Sequence, residues 1–179
     1  MNPLRVGVIG VGHLGALHVR MLKDLPGAHL AGIYDASPER LAKMAAEHGV
    51  PVFPGVSELL REVDAVTIAT PTSTHFAVAQ EALESGKHVF VEKPITQSVG
   101  EAETLCRLAR ERSLILQVGH IERFNPAILA LEPYEIRPLF IESHRLSQFN
   151  PRGTDVPVVL DLMIHDIDII LSIVNSDVK

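Results

Sequence analysis

The chain has 179 residues and a single cysteine, Cys106. No intrachain disulfide can form, and this thiol usage suits a reducing, cytoplasmic setting. Cys106 falls in a helical pattern, AETLCRLARER, where a small packed hydrophobe is expected. No apolar run approaches the roughly 20 residues that cross a bilayer, so no membrane partner is expected. No leader of the charged-then-apolar kind precedes the first strand, which begins by residue 5. A long basic run is also missing. With 16 basic against 22 acidic residues the net charge is −6, which argues against nucleic acid as the main partner. Internal repeats and low-complexity tracts are absent. What is present, 46% hydrophobic and 21% charged residues, is enough to build an ordinary globular core.

Apolar runs and helical patterns alternate along the first two thirds of the chain. LRVGVIG, HLAGIYD, VPVF, AVTIAT, HVFVEKP and LILQVGH read as strands. Between them lie HLGALHVRMLKDL, a helix opened by Ser37-Pro38 and stopped by Gly49, VSELLREV, THFAVAQEALESG and SVGEAETLCRLARER. This βαβαβ rhythm implies a doubly wound parallel α/β sheet. After residue 120 the pattern changes. IERFNPAILALEP reads as a connecting helix broken at Asn125-Pro126, PLFIESHRLS as an alternating strand, QFNPRGTD as a loop, and VVLDLMIHDIDIILSIV as a helix.

The densest motif is Gly10-x-Gly12-x-x-Gly15, placed between the first strand and the first helix, with Asp35 at the end of the second strand. Gly10 permits a tight turn, Gly12 lets the backbone approach a pyrophosphate, and Gly15 allows close helix packing. The helix N-terminus then offers free N–H groups to phosphates. A carboxylate at Asp35 can accept from both ribose hydroxyls and would repel a 2′-phosphate. The pattern therefore implies NAD rather than NADP as cofactor. The plainer alternative is a glycine turn in an unrelated α/β protein, with Asp35 capping the next helix.

Two further groups carry chemistry. Glu92-Lys93-Pro94 ends a central strand, at the sheet edge where ligands bind in open α/β folds. Lys93 is either a cleft lysine or a solvated loop lysine. Asp161 and His165 are four apart in an otherwise apolar helix and share a face, with Asp168 close to the same stripe. A carboxylate that orients an imidazole makes a general base. A capping aspartate with a satisfied core histidine is the alternative. A metal site is a third reading, but it lacks a third ligand at clear spacing, so no metal is expected.

Together GVGHLGALH, ATPTSTH, GKHVFVEKP, QVGHIERFNP and LDLMIHD resemble, in order and spacing, the motifs of the Gfo/Idh/MocA family of glucose–fructose oxidoreductases and inositol dehydrogenases. The resemblance implies a Rossmann NAD-binding domain over residues 1–120. The incomplete start of an α+β substrate domain follows over residues 121–179. It implies hydride transfer between nicotinamide and a secondary alcohol of a sugar, cyclitol or nucleotide sugar. By the same resemblance Lys93, Asp161 and His165 are catalytic. Gly10, Gly12, His13, Leu14, Gly15, Asp35, Thr70, Pro71, Thr72, His75, Glu92 and Lys93 contact the cofactor, and Arg123 and His165 the substrate. His120 and Asn125 are weaker candidates. The stretch SQFNPRGTDVPVVLDLMIHD is most similar to the branch acting on the 3-hydroxyl of UDP-N-acetylglucosamine, which forms a 3-keto sugar for an aminotransferase. Family chains are considerably longer, and the sheet that completes them forms the substrate floor and the oligomer face. A homo-oligomer is therefore implied. Two readings stay open: part of a full dehydrogenase, or a shortened NAD-binding module or sensor without complete catalysis.

Overall fold

The computed structural model describes residues 2–146, 157–174 and 176–178. Its contacts divide into two compact units between Val118 and Gly119.

The first unit follows the alternating pattern. Strands β1 (Leu4–Ile9), β2 (Ala28–Tyr34), β3 (Ala65–Ile68), β4 (His88–Glu92) and β5 (Leu116–Gly119) form one sheet in the order β2-β1-β3-β4-β5, with β5 reaching across the division. The pairings of β1 with β2, β1 with β3 and β3 with β4 are all parallel. Helices α1 (His13–Asp24), α2 (Pro38–His48), α3 (Val56–Glu62), α4 (Thr72–Glu84) and α5 (Val99–Glu111) lie between them in sequence. Local chemistry sets their ends. The Ser37 hydroxyl accepts from Arg40 N with Pro38 at the first helical position, and Gly49 closes α2 at φ 64°. Ser98 and Glu101 form a reciprocal capping box on α5.

The apolar strands bury both faces. Adjacent Val8 and Ile9 of β1 fall in separate clusters, as a two-residue side-chain period requires. Val8 packs with Val19, Leu30, Ile33 and Met44, whereas Ile9 packs with Leu59, Ile68, Leu83, Val91 and Leu105. Leu59 is fully enclosed, with side-chain carbons 3.0 Å from where a Cβ on Gly7 would stand. Leu59→Ala is expected to cost about 2–5 kcal/mol of stability, measurable by urea unfolding, because no neighbouring side chain can refill the space completely.

Three expectations change. VPVF forms only a single bridge, Ile33 to Val52, because Pro51 has no N–H to extend a ladder. Cys106 is exposed: the buried stripe of α5 runs through Leu105 and Ala109, one position away. In the second unit, residues 138–146 form no strand, and the described residues there provide no partner strand to pair with them. Leu139, Phe140 and Leu146 are left exposed. The loop QFNPRGTD, residues 148–155, lies outside the described residues.

The second unit otherwise has the expected broken helix. A 3₁₀ turn, Ile121–Phe124, is followed by Asn125, whose side chain caps the short helix α6 (Pro126–Leu129). The later helix starts with a π-helical turn, Val159–Met163, and continues as α7 (Ile164–Ile173). Among the described residues no helix is long and apolar enough to cross a membrane.

Candidate functional site

The order β2-β1-β3 places a topological switch point beside the carboxyl end of β1. There the chain leaves β1 for one side and returns to β3 on the other, which opens a crevice between the two following loops. The glycine motif forms one loop. Gly10 has φ +87°, and its N–H donates to Tyr34 O at 2.8 Å. A Cβ on Gly15 would stand 1.8 Å from Gly10 O, so only glycine lets α1 start this close to the turn. Gly12 differs, because a Cβ there would meet nothing within 4 Å. It caps α1 without any side-chain bond, and His13 and Leu14 of the first turn are exposed. The first-turn amides therefore face open space at the positive end of the helix dipole, which fits a pyrophosphate.

Asp35 is buried at the end of β2. Its Oδ2 accepts from Val11 N at 2.8 Å, and its Oδ1 accepts from Ser37 N at 2.8 Å. Arg40 lies 3.4 Å from Oδ1. Asp35 thus ties the glycine turn to β2 as well as presenting a carboxylate. Oδ2 keeps a further lone pair for a ribose hydroxyl, whereas Oδ1 accepts from both Ser37 N and Arg40.

The second loop follows β3. Thr74 Oγ1 lies 2.8 Å from both Thr70 Oγ1 and Pro71 O, which shapes the entry to α4, and Thr72 is buried. His75 is 1% exposed, with Nδ1 2.9 Å from Pro94 O and Nε2 2.9 Å from Thr70 O. Its ring therefore holds two loops together and presents no surface to a ligand. At the end of β4, Glu92 is buried with its Oε1 2.9 Å from His18 Nε2 on α1, so the carboxylate is engaged within the protein. Lys93 is half-buried in the turn that follows.

The second unit carries the other candidates. Asp161 lies in the π-helical turn and His165 in the first turn of α7, both half-buried. Such turns recur at functional sites in helices. The buried acid of this helix is Asp168. Its carboxylate accepts two hydrogen bonds from Arg123, at 2.7 and 2.6 Å, and lies 3.9 Å from His120 Nδ1. Arg123, expected at the substrate, is engaged here with Asp168. Asp166 pairs in the same way with Arg145, at 2.7 and 3.1 Å. These pairs answer how so apolar a helix keeps its acids. The Asp166 partner gave no sequence signal, because Arg145 is 21 residues away. Asn125 serves as a cap, accepting from Ala127 N at 3.0 Å.

Burial pushes the Asp168 carboxyl up, but the Arg123 hydrogen bonds and the nearby charges of His120, Arg123 and His165 outweigh it and hold it below the ordinary value. A depressed carboxyl contributes stability above the unfolded-state value, about 3.9, and loses it as pH falls through the folded value. Asp168→Asn is therefore expected to loosen α7 at neutral pH and to flatten its acid transition. Because Arg123 is half-exposed, the cost is set at about 1–2 kcal/mol. Hydrogen exchange of α7 amides at neutral and acid pH measures both effects.

The parallel sheet, the glycine turn and the acid closing β2 define a dinucleotide-binding Rossmann domain. A model of the Gfo/Idh/MocA oxidoreductases, described by their NAD-binding Rossmann fold, matches residues 4–120. The chain belongs to this family. It is 47% identical over 178 residues to a UDP-N-acetylglucosamine 3-dehydrogenase of Acidithiobacillus ferrooxidans, covering 99% of this chain and 56% of that protein. It is 32% identical to the scyllo-inositol 2-dehydrogenase (NAD(+)) of Bacillus subtilis, covering 99% and 56%. The solved structure of the A. ferrooxidans enzyme, GnnA, superimposes with TM-score 0.92 over 99% of this chain and 58% of that one. GenD2 from gentamicin A biosynthesis, solved with NAD, is 30% identical with TM-score 0.71 over 74% of this chain and 39% of its own. The chain thus spans a little over half the length of the curated relatives it matches.

Proposed function

We propose that this chain carries the cofactor site and the catalytic residues of an NAD-dependent dehydrogenase. It would act on a secondary alcohol of a nucleotide sugar, the 3-hydroxyl of UDP-N-acetylglucosamine in particular. The observation that carries the reading is the Gly12 opening with Lys93 at the end of β4 in the first unit; the second unit, by itself, carries Asp161 and His165 on one helix. The substrate choice leans on the 47% identity to a UDP-N-acetylglucosamine 3-dehydrogenase.

Bound NAD⁺ would supply the hydride acceptor. The first-turn amides of α1 would hold the pyrophosphate and Asp35 the adenosine ribose, with its buried charge disfavouring a 2′-phosphate. Thr70, Pro71 and Thr72 would line the nicotinamide half. The alcohol must lose a proton as its carbon loses hydride. His165 would take that proton, since an imidazole works near neutral pH without the large tuning a lysine needs. Asp161 would orient the ring. Lys93 would stabilise negative charge developing on the sugar oxygen. The carbinol would become a ketone as its C–H electron pair leaves with the hydride, and the proton would stay on His165 until solvent removes it.

The lone thiol leaves no disulfide to depend on an oxidising compartment, which suits work in the cytoplasm. The exposed Leu139, Phe140 and Leu146 suit a homo-oligomer that covers them. NADH absorbance, followed with NAD⁺ and a panel of sugars and nucleotide sugars, tests the reading. A rise with UDP-N-acetylglucosamine above all others is expected. NAD binding with no turnover on any sugar would favour the binding-module alternative.

A further inference from the structure

We infer that His18 and His75 are positioning residues that clamp the turn carrying Lys93 from both sides and tie it to the two loops of the cofactor crevice. The inference rests on the role given to Lys93 above. Glu92, Lys93 and Pro94 are consecutive, and a histidine holds the residue on each flank of the lysine.

On one flank, His18 Nε2 meets the buried Glu92 carboxylate at 2.9 Å. The His18 ring packs edge-on against Phe90 of β4, with centroids 5.6 Å apart at 74°. Its Nδ1 is buried without a hydrogen-bond partner among the described residues, so Glu92 is the ring's polar anchor. His18 lies on α1, three residues beyond Gly15, in the helix whose first turn faces the crevice. On the other flank, His75 Nδ1 meets Pro94 O, and its Nε2 meets Thr70 O in the loop after β3. Both partners are carbonyl oxygens, which accept from whichever ring nitrogen bears hydrogen. Lys93 is thus referenced to the glycine turn through α1 and to the Thr70 loop through α4.

Neither ring is placed to do chemistry. His75 is 1% exposed, and the His18 side chain is 17% exposed with Nε2 engaged by Glu92 and Nδ1 buried. Their effect falls on geometry, where a displacement of about 1 Å at a reacting group costs on the order of 100-fold in rate.

Side-chain mimicry separates the two links of His75. Asparagine places an amide nitrogen near Nδ1, and glutamine places one near Nε2. His75→Asn keeps the Pro94 link, whereas His75→Gln keeps only the Thr70 link. Likewise His18→Gln keeps a donor for Glu92 that His18→Ala removes. Hydrogen exchange of the Lys93, Ile95 and Thr96 amides, the acylation rate of Lys93, and NAD affinity are measured for all five variants, including His75→Ala. The two alanine variants and His75→Gln are expected to exchange about ten-fold faster in this turn, with faster Lys93 labelling, and His18→Ala to keep NAD affinity within about three-fold of the parent. His75→Asn and His18→Gln are expected to restore the parent pattern. Equal behaviour of His75→Asn and His75→Gln, or an unchanged turn in both alanine variants, would overturn the inference. If His75→Ala does not fold, the His18 pair decides alone. Exchange and labelling need no turnover, so an inactive parent with the expected exchange pattern would count against the dehydrogenase reading and not against the clamp.

Discussion

Gly12→Val is expected to abolish NAD binding while leaving the fold unchanged. Gly12 has φ −67°, open to any residue, and nothing within 4 Å would meet its Cβ, so the folded protein has no reason to resist the change. A branched side chain there would fill the approach to the first-turn amides of α1. A loss of at least about 100-fold in affinity, or about 2.7 kcal/mol, is the expected result by calorimetric titration. Gly15→Ala is the opposite case. Its Cβ would stand 1.8 Å from Gly10 O, a backbone atom that cannot swing aside. That variant should lose several kcal/mol of stability, with binding lost as a consequence of damage to the turn. Melting temperature and affinity measured together distinguish the two. If Gly12→Val bound NAD normally, the crevice beside β1 would not be the pyrophosphate site.

His165→Ala should lower turnover by about 10²–10⁴-fold with NAD affinity unchanged, the range in which a positioned general base contributes. Lys93→Ala should fall by about 10²–10³-fold, because it removes stabilisation of charge on the reacting oxygen. The double variant should fall by less than the product of the two, since both groups serve one transition state. Asp161→Asn should lower turnover less than His165→Ala, as an orienting partner would. Full activity in His165→Ala would remove it from the proton path.

The cofactor half was legible in the sequence because its demands are local. A strand, a glycine turn, a helix and an acid at fixed spacing leave little freedom, and the structure sets them at a switch point as the pattern implied. What the spacing did not reveal was that Asp35 accepts from Val11 and Ser37, or that His75 turns toward the turn after β4 and Glu92 toward α1. Val11 lies 24 residues from Asp35, Pro94 19 from His75 and His18 74 from Glu92, and only the sheet order brings these together. The second unit was less legible. An alternating pattern at 138–146 reads as a strand, yet a strand needs a neighbour, and pairing is settled by tertiary context. Arg123 and Arg145 illustrate the same limit: the helix acids Asp168 and Asp166 declare a need for partners, not which arginine answers it.

The most direct test is isotope transfer. The intact protein is incubated with NAD⁺ and UDP-N-acetylglucosamine deuterated at C3, and the reduced cofactor is analysed by mass spectrometry. Reduced cofactor carrying the deuterium is the expected result, formed about 10²–10⁴-fold more slowly by the His165→Ala protein. NAD bound at the crevice but no label transferred from this or any other nucleotide sugar would contradict the dehydrogenase account and leave a cofactor-binding module in its place.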